Sequence, residues 1–320
     1  RSTPYIFTPC VQNTLTTYIL ISVDAHHTHE DAKKSVNAAM DGINILVAED
    51  NIVNQVFIKE VLEDLEVEYE IVSNGEEAVE AVKAKTYDLI MMDCLMPVMD
   101  GFEATRTIKG LISNGDIKPL PICALTANAM KGDREKCLAA GMDDYLSKPV
   151  RKKELTNKIM SLLKLSTEAG QSDVDANGHV QEEGTAKVDE PPVQLQDVDD
   201  EPLLDEDAVA NARSILKDKY SGMVEVYITN SWERVEEIEK AIGDLDVEAA
   251  IRPAHTLKST SKQMGALKLS DVAKELEYCA KAMHKDEEAE DVSMDSLSGY
   301  LNQIRDLLAR TKKAFEEQAE

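Results

Sequence analysis

The chain has 320 residues and a formal net charge of −26, with 61 acidic residues against 35 basic ones. That length predicts two compact domains, each with its own core. The charge argues against a nucleic-acid-binding protein, because phosphates require Lys and Arg. The five cysteines are scattered without paired spacing, which is typical of a reducing compartment. Because no apolar run approaches the roughly 20 residues of a membrane span, we expect a cytoplasmic chain with no membrane contact of its own.

Residues 1–42 receive no assignment. The cluster "HHTH" (His26, His27 and His29) has no cysteine or acid at matching spacing, so we interpret it as a solvated loop rather than a metal site. The chain starts at Arg1 and not at Met, which we interpret as a piece of a longer protein.

From residue 43 to residue 165, short apolar runs alternate with segments of helical period. The runs "INILVA", "YEIVS", "YDLIMM", "LPICALT" and "YLS" are separated by stretches such as "NQVFIKEVLEDL" and "GEEAVEAVKA". Strands that alternate with helices predict a doubly wound α/β domain with five parallel strands. The runs are continuously apolar, as expected of strands that are buried on both faces.

Residues 166–200 have a different composition. They contain ten acidic residues, one base (Lys187) and no aromatic residue. Such a segment cannot bury enough apolar surface to offset the entropy of ordering it. We therefore predict a disordered acidic linker, which lets the flanking domains meet without fixing their geometry.

Residues 201–320 show only helical periods, which predicts an all-α four-helix bundle. Three of the predicted helices each gather their apolar side chains on one face. The faces are Val224, Ile228, Ser231, Val235, Ile238 and Ile242; Leu269, Val272, Leu276, Cys279 and Met283; and Leu297, Leu301, Ile304, Leu308 and Phe315.

Three acids follow predicted strands of the α/β domain: Glu49 and Asp50 end "ILVAED", and Asp93 ends "LIMMD". Ligands of a doubly wound sheet collect beyond the carboxyl ends of its strands, so these carboxylates share one crevice if their strands are neighbours. Like charges at that range destabilise the fold unless a cation lies among them, and an all-oxygen, open site suits Mg²⁺. Any one acid could instead be a solvated helix N-cap, but the set of three favours a metal.

Two more strand ends carry polar side chains. Thr126 closes the fourth run, and Lys148 follows the fifth in "SKPV", where Pro149 could form a cis bond. The motifs "AEDN", "DCLMPVMDG", "ALTA" and "YLSKP" resemble the response-regulator receiver domain, a flavodoxin-like fold, over residues 43–165. The resemblance implies that Thr126 moves toward a phosphoryl group and that Lys148 neutralises its charge.

The same resemblance implies the roles of the acids. Asp93 would be the phosphoacceptor, attacking phosphorus to form an acyl phosphate. Asp50, Asp93 and the backbone carbonyl of Leu95 would hold Mg²⁺ directly, and Glu49 would act through water.

The helical half carries His255 in "AHTLKSTSKQMGA". A histidine on the polar face of a helix is usually only solvated. Here Lys258 lies one turn further on and Lys262 two turns, and the residues around the ring are small. We therefore predict an open, cationic patch that suits an arriving phosphoryl group.

This segment resembles the histidine phosphotransfer (HPt) domain, whose mark is a histidine followed by apolar, lysine and small residues and then a glycine. The matching residues are His255, Leu257, Lys258 and Gly265. Two features depart from the family pattern: Ser259 stands where a glycine often occurs, and Pro253 should kink or restart the helix. Residues 201–320 fit the four-helix bundle of that family.

Together the resemblances predict a phosphorelay module of two-component signalling. A histidine kinase domain would phosphorylate Asp93, and Nε2 of His255 would relay the group to or from an aspartate of a receiver domain. The chain carries no recognisable ATP lid or kinase asparagine box, so we expect it not to use ATP by itself. The domain order is similar to the C-terminal half of a hybrid sensor histidine kinase, a protein-histidine kinase that can be membrane-anchored.

Three alternatives stay open at this point. A stand-alone receiver–HPt protein would have the same two domains without an upstream kinase. A phosphatase of the haloacid-dehalogenase type also uses an aspartate nucleophile, but it needs a second Asp two residues later, where this chain has Leu95. A non-catalytic binding module would leave Asp93 and His255 chemically silent.

Overall fold

A computed structural model describes residues 35–126, 131–165, 202–285 and 292–318. The acidic linker predicted at residues 166–200 and the histidines at residues 26–29 lie outside the described residues. A short helical stretch at residues 35–39 precedes the first strand.

The predicted five-stranded parallel sheet is confirmed in the described residues. Its order is β2-β1-β3-β4-β5, so β1 lies between β2 and β3 in the sheet. Each strand coincides with one of the predicted apolar runs. The strands are β1 (Asn44–Ala48), β2 (Glu68–Val72), β3 (Leu89–Asp93), β4 (Ile122–Thr126) and β5 (Asp144–Ser147).

Helices follow each strand and cover both faces of the sheet. In β3, Leu89 and Met91 pack into the core on one face, and Ile90 and Met92 into the core on the other. This two-residue alternation in an entirely apolar strand is what a doubly wound sheet requires. The helices are α1 (Ile52–Asp64), α2 (Gly75–Ala84), α3 (Gly101–Asn114), α4 (Lys131–Ala140) and α5 (Lys152–Leu163).

The C-terminal half is helical, as predicted. Helices α7 to α10 pack in a closed ring of neighbours, which is a four-helix bundle, and α6 packs against α7 and α8. The bounds are α6 (Glu206–Leu216), α7 (Tyr220–Gly243), α8 (Val247–Met264), α9 (Leu267–His284) and α10 (Met294–Glu317), with a short 3₁₀ turn at Lys217–Lys219.

Most of the predicted bundle faces are buried, with two corrections. The whole α10 face is buried, whereas Val224, Ile242 and Met283 at the edges of the other two faces are only half-buried. Helix α8 runs through Pro253 without restarting. Proline removes one backbone donor, but the packing of α8 on three sides keeps the turns around it helical.

The α/β domain and the bundle pack against each other through α1. Helices α6, α7 and α8 all contact α1, and apolar side chains from both halves form one continuous core. The sequence of the linker did not predict this packing. A linker limits the distance between the α/β domain and the bundle, but it does not determine which of their faces come into contact.

The end of β3 is held against the start of α3 by a close approach at Gly101. A Cβ on Gly101 would lie 2.0 Å from the carbonyl oxygen of Asp93. Gly110, an exposed position inside the same helix, has open space around it.

We expect Gly101→Ala to destabilise the α/β domain by about 2 kcal/mol or more, because β3 or α3 must shift to make room. The matched control, Gly110→Ala, should stabilise it by about 1 kcal/mol through helix propensity alone. Urea unfolding measures both, and equal effects of the two substitutions would contradict the packing described.

Candidate functional site

The three acids predicted to converge do so at the carboxyl edge of the sheet. Strands β1 and β3 are neighbours, with Ala48 opposite Met92, so the residues that follow them are adjacent. One carboxylate oxygen from each of Glu49, Asp50 and Asp93 lies within 4.8 Å of the others. Glu49 and Asp93 are buried and Asp50 is partly buried.

Lys148 lies among these acids. Its Nζ is 2.7 Å from Oδ2 of Asp93 and 2.7 Å from Oε2 of Glu49, and the residue is 4% exposed. The backbone N–H of Lys148 donates to the carbonyl of Thr126 at 2.7 Å, so the ends of β4 and β5 are adjacent. The Lys148–Pro149 peptide bond is cis. Thr126, 6% exposed, therefore stands at the same edge of the sheet as Lys148.

Neighbouring groups fix the orientation of two carboxylates. The Asn54 side-chain amide donates to Oε1 of Glu49 at 2.9 Å, and the Leu95 backbone N–H donates to Oδ1 of Asp93 at 3.3 Å. Oδ2 of Asp93 faces the Lys148 ammonium. Both carboxylate oxygens of Asp93 therefore accept a hydrogen bond, which fixes the orientation of this side chain.

The electrostatics show an excess of negative charge. Burial, followed by the charge of Asp93, raises the pKa of Glu49 and that of Asp50 above their ordinary values. Burial alone would lower the pKa of Lys148, but the carboxylates of Asp93 and Glu49 raise it above its usual range. The cations beside the three carboxylates are the buried ammonium of Lys148 and Arg252, whose Nε is 3.2 Å from Oδ2 of Asp50, so negative charge is still in excess. An all-oxygen donor set with surplus charge fits a hard divalent cation such as Mg²⁺. The residues present therefore fit such an ion.

His255 lies on α8, and Glu277 of α9 holds its ring. Nδ1 of His255 is 2.8 Å from Oε1 of Glu277. Because a carboxylate can only accept, Nδ1 donates this hydrogen bond and carries a proton, so in the neutral ring Nε2 is the nitrogen with the lone pair. Lys258 pairs with the other oxygen of Glu277, and Lys281 also pairs with this carboxylate. Burial alone would raise the pKa of Glu277, but His255 and the two lysines lower it well below its ordinary value.

The prediction of an open, cationic patch around His255 is corrected by the structure. His255 is 9% exposed and Ser259 is 3% exposed. Two contacts account for this: Glu277 of α9 pairs with both His255 and Lys258, and Gln263, one turn beyond Ser259, bonds to the Val150 backbone of the α/β domain. The histidine is thus held in a polar, buried setting.

Sequence reasoning missed Glu277, which lies 22 residues after the histidine. The sequence carried one signal: Glu277 lies at helical spacing between Ala273 and Ala280, on one side of α9. The structure shows that this side is buried. A carboxylate on a buried helical stripe needs a partner, and the polar residues of the neighbouring helix supply it.

In the described part of the chain, no helix is both long enough and apolar enough to cross a membrane.

Two family models match the chain: the response regulator receiver domain over residues 45–160 and the Hpt domain over residues 222–314. The hybrid signal transduction histidine kinase B of Dictyostelium discoideum is 44% identical over 119 residues, 35% of this chain and 6% of that protein. The sensor histidine kinase GacS of Pseudomonas protegens is 40% identical over 116 residues, 36% of this chain and 13% of that protein. This chain therefore spans only a small part of the length of the curated relatives it matches.

A solved structure adds a third likeness. The receiver domain of a sensor histidine kinase from Pseudomonas aeruginosa, with a magnesium ion coordinated in its active site cleft, is 44% identical. The match covers 38% of this chain and 98% of that one, with a TM-score of 0.36. The two family matches show that this chain contains a response regulator receiver domain followed by an Hpt domain, the domain pair of phosphorelay signal transduction.

Proposed function

We propose that Asp93 accepts a phosphoryl group from a histidine kinase domain and that His255 exchanges this group with an aspartate of a receiver domain. The observation that carries the proposal is the buried carboxylate of Asp93, held by Lys148 beside two further acids. Burying a carboxylate beside two other acids destabilises the fold, so a functional role is the expected reason for keeping it there. Phosphoryl transfer requires such a group, because it needs a nucleophile held in a fixed position among cationic groups.

In the first step, an oxygen of Asp93 attacks phosphorus, a new P–O bond forms, and the P–N bond of the donor phosphohistidine breaks. Lys148 already faces Oδ2 of Asp93 and would follow the charge onto the phosphoryl oxygens. Thr126, at the end of the adjacent strand, would contact another of these oxygens. Asp93, Lys148 and Thr126 are buried, which would limit the access of bulk water and slow hydrolysis of the acyl phosphate.

We propose that Asp50, Asp93 and the Leu95 carbonyl hold Mg²⁺ directly, with Glu49 acting through water. The ion, when bound, would neutralise charge on the phosphoryl oxygens. The raised pKa values of Glu49 and Asp50 support this assignment, because burial and the charge of Asp93 disfavour the ionised form of both acids.

In the second step, Nε2 of His255 attacks phosphorus, a P–N bond forms, and the P–O bond breaks with its electron pair returning to the aspartate. Glu277 supports this role as a positioning residue, because it keeps the proton on Nδ1 and offsets the positive charge that the ring gains. Lys258 pairs with the same carboxylate and would also contact the phosphoryl group when it is on His255.

The names of the curated relatives support a wider proposal: the two domains act within a hybrid sensor histidine kinase, itself a protein-histidine kinase, in the cytoplasm. In this proposal the receiver domain spans residues 43–165 and the HPt domain residues 201–320, joined by the acidic linker. A stand-alone receiver–HPt protein would use the same residues and differ only in the source of the phosphoryl group.

The first prediction concerns the labelled residues. With a small phosphodonor and Mg²⁺, Asp93→Asn should abolish the acid-stable, base-labile label, and His255→Gln should abolish only the acid-labile label. The exposed residues Asp116 and His284 provide matched controls as Asp116→Asn and His284→Gln. Unchanged labelling of both site variants would favour the non-catalytic binding module.

The second prediction concerns Mg²⁺ and pH. The pKa values of Glu49 and Asp50 are raised in the folded state, so the folded chain binds protons that the unfolded chain has lost. Without a divalent cation, stability should therefore fall as the pH rises above about 4.5. Mg²⁺ should raise the melting temperature more at pH 8 than at pH 5, as followed by circular dichroism.

In this experiment Asp50→Asn removes one acid and should reduce the response to Mg²⁺. The control Asp116→Asn changes an exposed aspartate and should leave that response intact. A response of equal size at pH 5 and pH 8, or one that survives in Asp50→Asn, would refute the metal assignment.

The third prediction concerns Glu277. Glu277→Ala leaves His255 and two lysines without their carboxylate and should lower the free energy of unfolding by about 3 kcal/mol at pH 7. Because the pKa of Glu277 is lowered in the folded state, this contribution is present above its ordinary value of 4.5 and is lost as the pH falls below it.

Glu277→Gln keeps an acceptor for Nδ1 and should restore part of the phosphotransfer rate that Glu277→Ala loses. Urea unfolding at pH 7 and pH 4 and rapid-quench transfer rates measure the two effects. Glu275→Gln, on the same helix and more exposed, is the matched control. Equal transfer rates in all of these variants would argue against a positioning role.

A further inference from the structure

Ser259 carries a buried hydroxyl that the fold does not use. The residue is 3% exposed, and among the residues that the structure describes its Oγ has no hydrogen-bond partner. The next two hydroxyls along α8 are both bonded. Oγ1 of Thr260 donates to the Thr256 carbonyl at 3.0 Å. Oγ of Ser261 accepts from the Tyr227 hydroxyl at 2.9 Å. A buried hydroxyl without a partner destabilises a fold, and an alanine at residue 259 would avoid that cost.

This hydroxyl lies beside the His255 ring. Ser259 follows His255 by four residues, and side chains at that spacing are neighbours on a helix surface, with about 5–6 Å between their Cβ atoms. Side chains of a helix lean toward its N-terminus, so the Ser259 side chain leans toward His255. The unpartnered hydroxyl therefore borders the space in which a group attached to the ring would lie.

Ser259 does not lie on the core side of α8. The apolar residues that α8 contributes to the bundle core share the opposite side of the helix: Ala250, Ala254, Leu257 and Met264. Two polar residues at helical spacing from Ser259 contact the receiver domain. Nε of Arg252 is 3.2 Å from Oδ2 of Asp50, and Oε1 of Gln263 accepts the Val150 backbone N–H at 2.8 Å. Packing of the bundle core therefore does not explain why a hydroxyl occupies this position.

The other polar groups around the ring already have partners. Glu277 of α9 is 2.8 Å from Nδ1 of His255, so Nε2 lies on the far side of the ring from this carboxylate. The two neighbouring lysines, Lys258 and Lys281, both pair with Glu277. Ser259 thus supplies a neutral donor that is not engaged in another hydrogen bond.

We propose that Ser259 binds the phosphoryl group on His255, with its Oγ donating a hydrogen bond to a phosphoryl oxygen when the group is on Nε2. The proposal rests on the proposed function and adds a residue to its second step. A hydroxyl that donates to an anionic oxygen forms a charge-assisted hydrogen bond, which is stronger than one between neutral groups. Glycine, which often occurs at this position in the family, has no side chain with which to make this contact.

Direct loading of His255 tests the contact without the receiver aspartate. Asp93→Asn chains are incubated with phosphoramidate at a fixed ammonia concentration. Nε2 of His255 attacks phosphorus, the P–N bond of phosphoramidate breaks, and ammonia leaves. The phosphoramidate concentration that labels half of the chains at equilibrium measures the stability of the phosphohistidine. This concentration should rise about tenfold in Ser259→Ala, because the phosphoryl group loses a hydrogen bond from a neutral donor to a charged oxygen.

Two further measurements separate a contact with the phosphoryl group from a role in packing. The ³¹P resonance of the phosphohistidine should shift in Ser259→Ala, because a hydrogen bond to a phosphoryl oxygen changes the shielding of phosphorus. The midpoint of urea unfolding of unphosphorylated chains should stay the same or rise, because the substitution removes a buried hydroxyl that has no partner.

Thr260→Val is the matched control. It removes a buried hydroxyl from the next residue of α8, where that hydroxyl donates to backbone carbonyls of the helix. The half-labelling concentration and the ³¹P resonance should both stay unchanged. Ser259→Gly differs from Ser259→Ala in size but also lacks the hydroxyl, so it should show the same rise in the half-labelling concentration.

If Ser259→Ala and Ser259→Gly label at the same phosphoramidate concentration as Thr260→Val, with an unshifted ³¹P resonance, the hydroxyl does not bind the phosphoryl group. That result would overturn this inference and leave the proposed function intact. Absence of acid-labile label from Asp93→Asn chains at every phosphoramidate concentration would instead overturn the proposed role of His255, and this inference with it.

Discussion

The structure depends on the buried ammonium of Lys148, which lies 2.7 Å from both Asp93 and Glu49. Burial of three acids at one sheet edge would separate the ends of β1 and β3 if nothing balanced their charge. Lys148 reaches them because β5 pairs with β4, and β4 with β3, in one parallel sheet. It compensates the acids only in part, and the negative charge that remains is what a bound cation would neutralise.

The same compensation recurs in the HPt domain with the signs reversed. There a buried carboxylate, Glu277, gathers His255, Lys258 and Lys281, and its pKa falls because of them. One domain thus presents acids around a lysine, and the other presents bases around a glutamate. Arg252 extends the basic set to Asp50, where it contacts Oδ2. A carboxylate has two oxygens, so a docked arginine and a bound metal ion can share Asp50.

The sequence alone predicted the sheet, the bundle and the convergence of the acids, because each follows from local rules. Continuous apolar runs specify buried parallel strands, and their carboxyl ends meet wherever the strand order makes them neighbours. Glu277 and Arg252 were not predicted, because their roles depend on which helix faces which. The setting of His255 was predicted wrongly for the same reason: an amphipathic pattern shows a polar face, and it does not show that Glu277 of a neighbouring helix covers it.

The central claim is that the phosphoryl group on Asp93 is the direct precursor of the one on His255. Single-turnover labelling tests it: the chain is loaded on Asp93, the phosphodonor is removed, and samples are quenched over time. The account predicts that the base-labile label falls and the acid-labile label rises with one shared rate constant. Decay of the first label to inorganic phosphate, with no rise of the second, would contradict it.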